Sequence, residues 1–247
     1  MSVPEACCTL PPVSSDYQAQ GSEFTLGDDL KIYETKNKSP KIVLICAYDI
    51  FGYHPNTKQF ADQLNSCGIF RVAMPDFFRG KPFSLDNFPP KDPSEIMNFV
   101  STTGSWDDVV KKDLQNVIEH YKKEGAVSFG IFGFCWGGKM SIKGVSEVDD
   151  IKAAALLHPA FVDTSDAEAA KGPVLFCPSK DEPDMLPLYE IVKKRLGEEN
   201  AEHHRFDDMF HGFAAARGDW KVEDQRKRAD QAIALVHNFF KKHLNKN

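Results

Sequence analysis

Five stretches of this chain are almost wholly apolar: "KIVLICAY", "IFRVAMPDFF", "AVSFGIFGF", "IKAAALLHPAF" and "GPVLFCPS". A strand wetted on one face alternates polar and apolar residues, whereas an unbroken apolar run suits a strand covered on both faces. Between these runs lie segments with helical spacing, among them "HPNTKQFADQLNSCG", "SWDDVVKKDLQNVIEHYKKEG", "GGKMSIKGVSE" and "PLYEIVKKRLGEEN". Buried strands alternating with amphipathic helices imply a doubly wound, mostly parallel sheet with helices on both faces. "FTLGDDLKIYETK" reads as a hairpin around Gly27-Asp28-Asp29. "AEHHRFDDMF" reads as a less apolar strand, and "KVEDQRKRADQAIALVHNFFKKHL" as the closing helix. The Pro-rich stretch "RGKPFSLDNFPPKDPSE" is long for a connection and is expected to be a functional loop. At 247 residues, the chain suits one α/β domain over residues 23–247, with a mobile arm over 1–22.

Composition narrows the function. A net charge of −6 disfavours non-specific binding to nucleic acid or to an anionic membrane. No apolar run approaches the roughly 20 residues that span a bilayer, and the N-terminus lacks the basic start and apolar centre of a secretory signal. Six cysteines without such a signal read as reduced thiols in the cytoplasm. Cys7-Cys8 is either a lipidation or metal pair or an ordinary pair in the arm; no histidine lies near to complete a metal site. No metal or cofactor is expected. The sequence leaves the oligomeric state open, between a monomer and a weak homodimer.

In an open parallel sheet, ligands bind beyond the carboxyl ends of the strands. The residues just after the apolar runs are therefore the candidates, and "GFCWGG" after "AVSFGIF" is the most distinctive of them. Gly133-X-Cys135-X-Gly137 has the shape of the strand–turn–helix elbow that presents a nucleophile. The thiol would sit at a helix N-terminus, where partial positive charge favours thiolate. Trp136 would offer its backbone N–H to an oxyanion, with a second N–H from Ile50. The alternative is a small buried cysteine at a tight turn. Asp181 after "GPVLFCPS" and His211 after "AEHHRFDDMF" supply an acid and a base in the order nucleophile, acid, histidine, with Asp184 as the other acid. His158 ends a strand, either lining the pocket or held structurally. Cys46, Cys67 and Cys177 read as core. His203-His204 read as strand residues rather than metal ligands.

"DIFGYHPNTKQFADQLNSCGIFRVAMPDFFRG", "FGFCWGGK", "KDEPDMLP" and "FHGFAAARG" together resemble the dienelactone hydrolase (carboxymethylenebutenolidase-like) family, from about Glu23 to the last helix. The resemblance implies an α/β-hydrolase fold. It also implies hydrolysis of small carboxylic esters or lactones through a cysteine acyl-enzyme, with no cofactor and with Cys135, Asp181 and His211 as the triad. Asp49 stands where relatives often carry a glutamate that keeps the resting thiol neutral; the other reading of Asp49 is a turn cap. Arg79 and Arg217 match segments whose arginines bind the substrate carboxylate, the alternative being surface salt bridges. The competing functional class is a catalytically weak relative that binds a ligand or senses redox state through Cys135.

Overall fold

Ile42–Ala47 and Phe70–Pro75 are buried at every position, as unbroken apolar runs require when both faces of a strand are covered. The computed structural model describes residues 8–245. Its strands are β1 (Ser22–Leu26), β2 (Leu30–Glu34), β3 (Ile42–Ala47), β4 (Phe70–Pro75), β5 (Ser128–Phe134), β6 (Ile151–Leu157), β7 (Val174–Cys177) and β8 (Ala201–His203). They form one sheet in the order β1-β2-β4-β3-β5-β6-β7-β8. The hairpin β1–β2 pairs antiparallel within itself and against β4; every other pairing is parallel.

The helices are α1 (Pro55–Ser66), α2 (Ser94–Thr102), α3 (Lys111–Lys123), α4 (Trp136–Glu147), α5 (Thr164–Ala169), α6 (Leu186–Leu196) and α7 (Glu223–Leu244). α1 starts where it does because Pro55 fills the first position, and His54 Nδ1 accepts from the Asn56 N–H. α7 buries Ala229, Ala232, Ile233, Val236 and Phe240, one stripe at spacings of three and four. It packs on β5, β6 and β7 beside α1, while α4 covers β3, β5 and β6 and contacts α5.

Three expectations change. The strand expected from "AEHHRFDDMF" is only three residues long, followed by a single bridge from Ser179 to Phe206. The Pro-rich loop holds a short 3-10 turn, Leu85–Asn87, and leads into α2. The arm is not separate from the body over the described residues. Tyr17 Oη and the Gln20 N–H both donate to Asp62 Oδ2 (2.8 and 3.0 Å). The Val13 N–H donates to the Ala216 carbonyl (2.9 Å), and His54 Nε2 donates to the Val13 carbonyl (2.9 Å). Cys7 lies outside the described residues.

Candidate active site

Cys135 sits between β5 and α4 with φ 54° and ψ −116°, a conformation that L residues avoid. Such backbone strain costs on the order of 1–3 kcal/mol and persists only where the surroundings enforce it. Here they do. A Cβ on Gly133 would fall 2.0 Å from the Gly137 carbonyl oxygen, and one on Gly137 would fall 2.0 Å from the Ala47 carbonyl oxygen. The two glycines let β5, α4 and the end of β3 meet. The elbow is braced from behind by aromatic rings, with Trp136 4.7 Å from Phe78 and 6.1 Å from Tyr48 between ring centroids. Tyr48 Oη donates to Asp76 Oδ1 and accepts from the Phe78 N–H.

The His211 ring reaches Cys135 from the loop after β8, and the two side chains are hydrogen-bonded. His211 Nδ1 donates to Glu182 Oε1 at 2.6 Å, with both side chains 1% exposed. The acid expected at Asp181 is therefore corrected by one residue. Asp181 is exposed, and its Oδ2 accepts from the backbone N–H of His211 (2.8 Å). Glu182 turns inward and also accepts from the Ser179 N–H. Burial works to lower the His211 pKa, but the neighbouring Cys135 and Glu182 outweigh it and raise it to about 9. The imidazolium form of His211 is thus favoured beside Cys135 and Glu182.

Asp49, 3% exposed, follows β3 and faces the same thiol. Its Oδ1 accepts from the Phe51 N–H (2.9 Å) and its Oδ2 from the Ala216 N–H (3.3 Å). Burial and the nearby Cys135 push its carboxyl up to about 6, against the pull of both N–H groups and Arg217. Asp49 thus caps the turn and lies within electrostatic range of the thiol.

Arg217 is 4% exposed, and its guanidinium lies 5.3 Å from the Phe51 ring centroid and 5.7 Å from that of Phe88. With Asp49, Ile50, Phe51, Cys135, His211 and Gly212 it lines a narrow crevice. Arg79 does not line this crevice. Its guanidinium is bidentate to Asp113 (2.7 and 2.9 Å), with Nε 3.0 Å from Asp29 Oδ1. The expectation that Arg79 binds substrate gives way to the salt-bridge alternative, because two carboxylates already occupy its donors.

His158 is fully buried after β6, its ring centroid 5.2 Å from that of His211 and nearly edge-on to it. Among the described residues neither of its ring nitrogens has a hydrogen-bond partner. Burial holds it neutral, with its pKa well below the usual histidine range. Among the described residues no three His, Cys, Asp or Glu side chains gather as a metal site would require. No helix among them is long and apolar enough to cross a membrane. Sequence reasoning missed Glu182, although "KDE" placed it next to the chosen acid, and it missed the Phe51–Phe88 pair that flanks Arg217.

A mostly parallel sheet flanked by helices, with a strained elbow after β5 and a histidine and carboxylate on loops after β8 and β7, defines an α/β-hydrolase fold. The chain belongs to the dienelactone hydrolase family, whose sequence model matches residues 30–244, and it is a hydrolase. An uncharacterized AIM2 family protein of Schizosaccharomyces pombe is 34% identical over 233 residues, covering 92% of this chain and 93% of the relative. A carboxymethylenebutenolidase homolog of Xenopus tropicalis is 26% identical over 242 residues, covering 93% and 94%. A solved dienelactone hydrolase-like promiscuous phosphotriesterase from metagenomic libraries shares the fold. Its TM-score is 0.66 at 15% identity, over 92% of this chain and 98% of that one.

Proposed function

We propose that this protein hydrolyses small carboxylic esters or lactones through an acyl-enzyme on Cys135. The observation that carries the reading is the relay Cys135–His211–Glu182, closed by the 2.6 Å contact between His211 Nδ1 and Glu182. The Cys135 sulfur attacks the carbonyl carbon, and the thiol proton resides on His211. Charge gathers on the carbonyl oxygen, where the backbone N–H groups of Trp136 and Ile50 receive it. His211 then gives its proton to the leaving alkoxide, and a thioester remains. His211 next takes a proton from water, whose oxygen attacks the thioester and frees Cys135. Glu182 keeps the ring in the tautomer with Nδ1 protonated and stabilises its cation.

Arg217 gives the reading its substrate class. A guanidinium packed against two aromatic rings at the crevice wall can take a carboxylate through two parallel hydrogen bonds. An acid group beside the scissile bond would therefore be favoured, and the second arginine expected from sequence takes no part. The partner is a small molecule, and the reaction needs no cofactor.

The test is acylation. Brief exposure to p-nitrophenyl acetate should add one acetyl group to the peptide containing Cys135. Cys135→Ala should fold normally and lose on the order of 10⁶ in kcat, as triads acting as a unit do. Acylation of Cys46 or Cys177 instead would overturn the assignment.

A further inference from the structure

Cys8 is half-buried and packs against the main hydrophobic core at the start of the described arm. The arm is fixed five residues later, at Val13, to the Ala216 carbonyl, beside Arg217 in the loop that also carries His211. His54 at the head of α1 holds the same residue from the other side. Five residues span at most about 17 Å when extended, so the tether at Val13 keeps Cys8 within that distance of the loop that carries Arg217 and His211. The thiol feels the site. Burial raises its pKa, the Arg217 guanidinium opposes that rise, and the Cys135 thiol adds to it. The other described thiols are placed differently. Cys46 and Cys177 are wholly buried within β3 and β7, and Cys67 is exposed at the end of α1. Cys135 itself is only 3% exposed.

We infer that Cys8 is the resolving thiol for Cys135, so that a peroxide ties the arm across the crevice in a reversible disulfide. The chemistry rests on the nucleophilic thiol of the proposed function and balances in two steps. The Cys135 sulfur attacks one peroxide oxygen; the S–O bond forms, the O–O bond breaks, and the departing hydroxide takes the thiol proton and leaves as water. The Cys8 sulfur then attacks the sulfenic sulfur; the S–S bond forms, the S–O bond breaks, and a second water leaves with the Cys8 proton. Two thiols are oxidised by two electrons and one hydrogen peroxide is reduced to two waters. The tether places Cys8 at an effective concentration on the order of millimolar, which favours the disulfide over further oxidation of Cys135.

The experiment uses the full-length protein, reduced and then treated with a slight excess of hydrogen peroxide. The expected product has lost two hydrogens and shows a Cys8–Cys135 cross-linked peptide in a non-reducing digest. Dithiothreitol should remove the cross-link and restore hydrolysis of p-nitrophenyl acetate. Cys8→Ser should hydrolyse the ester at the wild-type rate before oxidation, and under peroxide should accumulate the sulfinic acid on Cys135 irreversibly. A wild-type protein that forms only the sulfinic acid, or a cross-link from Cys135 to Cys7 or Cys46, overturns the inference. Because the readout is mass, a cross-link in a protein without esterase activity would sink the proposed function and leave this inference standing.

Discussion

Asp181 and Glu182 are neighbours in sequence and point opposite ways, one to solvent and one beneath the histidine. Glu182→Gln keeps the shape but removes the charge that steadies the imidazolium; kcat for p-nitrophenyl acetate should fall on the order of 10⁴. Asp181→Asn still offers an oxygen to the His211 N–H and should cost about tenfold or less. Equal losses would return the acid to Asp181. Asp49 calls for a different measurement. Its carboxyl is raised to about 6, so near neutral pH it is mostly ionised and disfavours a negative thiolate beside it. Asp49→Asn should speed iodoacetamide alkylation of Cys135 severalfold at pH 7.5 and erase the inflection near pH 6. A superimposable rate profile would reduce Asp49 to a turn cap. Cys135 and Asp49 were legible in sequence as candidates because each directly follows an apolar run, and His211 because it opens "HGFAAARG". The acid was not. A loop after a strand fixes the region of a carboxylate, while its direction depends on how Pro178 and Ser179 turn the chain, which no local spacing records.

At the scale of elements, the elbow depends on three backbones touching. Gly137→Ala would drive a methyl group into the Ala47 carbonyl at the end of β3. The only relief is for α4 to back away from the sheet, at a cost of about 1–3 kcal/mol or more. Urea unfolding should show that loss, and the His211–Cys135 contact should loosen with it, so activity should fall further than stability alone explains. A variant with wild-type midpoint and rate would mean that the close approach is dispensable. Most elements were legible for a plain reason: five of the six strands in the parallel set lie under helices on both faces and show unbroken apolar runs. β8 was over-read because "AEHHRFDDMF" alternates like a strand, but only Ala201–His203 find a partner along β7. α2 was hidden in a Pro-rich stretch, because Ser94 begins a helix directly after the prolines that had marked a loop.

For the whole molecule, the buried imidazole of His158 links folding to acidity. The folded chain keeps this ring neutral, whereas the unfolded chain protonates it near pH 6.5. A histidine whose folded pKa is depressed contributes stability that is present above the unfolded value and is lost as pH falls below it. The slope is at most about 1.4 kcal/mol per pH unit. His158→Phe fits the same aromatic surroundings of Phe134 and Phe213 and cannot take up a proton. The variant should therefore lose less stability than wild type between pH 6.5 and 5, as read by urea midpoints. Parallel curves would show that the ring is solvated in solution and carries no such linkage.

The first and last described segments meet the sheet at opposite rims. The arm runs past the crevice, where Val13 is hydrogen-bonded beside Arg217. The last turn of α7 instead packs Leu244 over Gly130, near the start of β5 and a full strand away from Cys135. For anyone who attaches something to this protein, these two segments are not equivalent. A fluorophore or a surface linker attached near Val13 would hang at the doorway and alter both substrate entry and the behaviour of Cys8. The same attachment on the last turn of α7, near Leu244, would sit at the far side of the sheet and leave the doorway as the sequence built it.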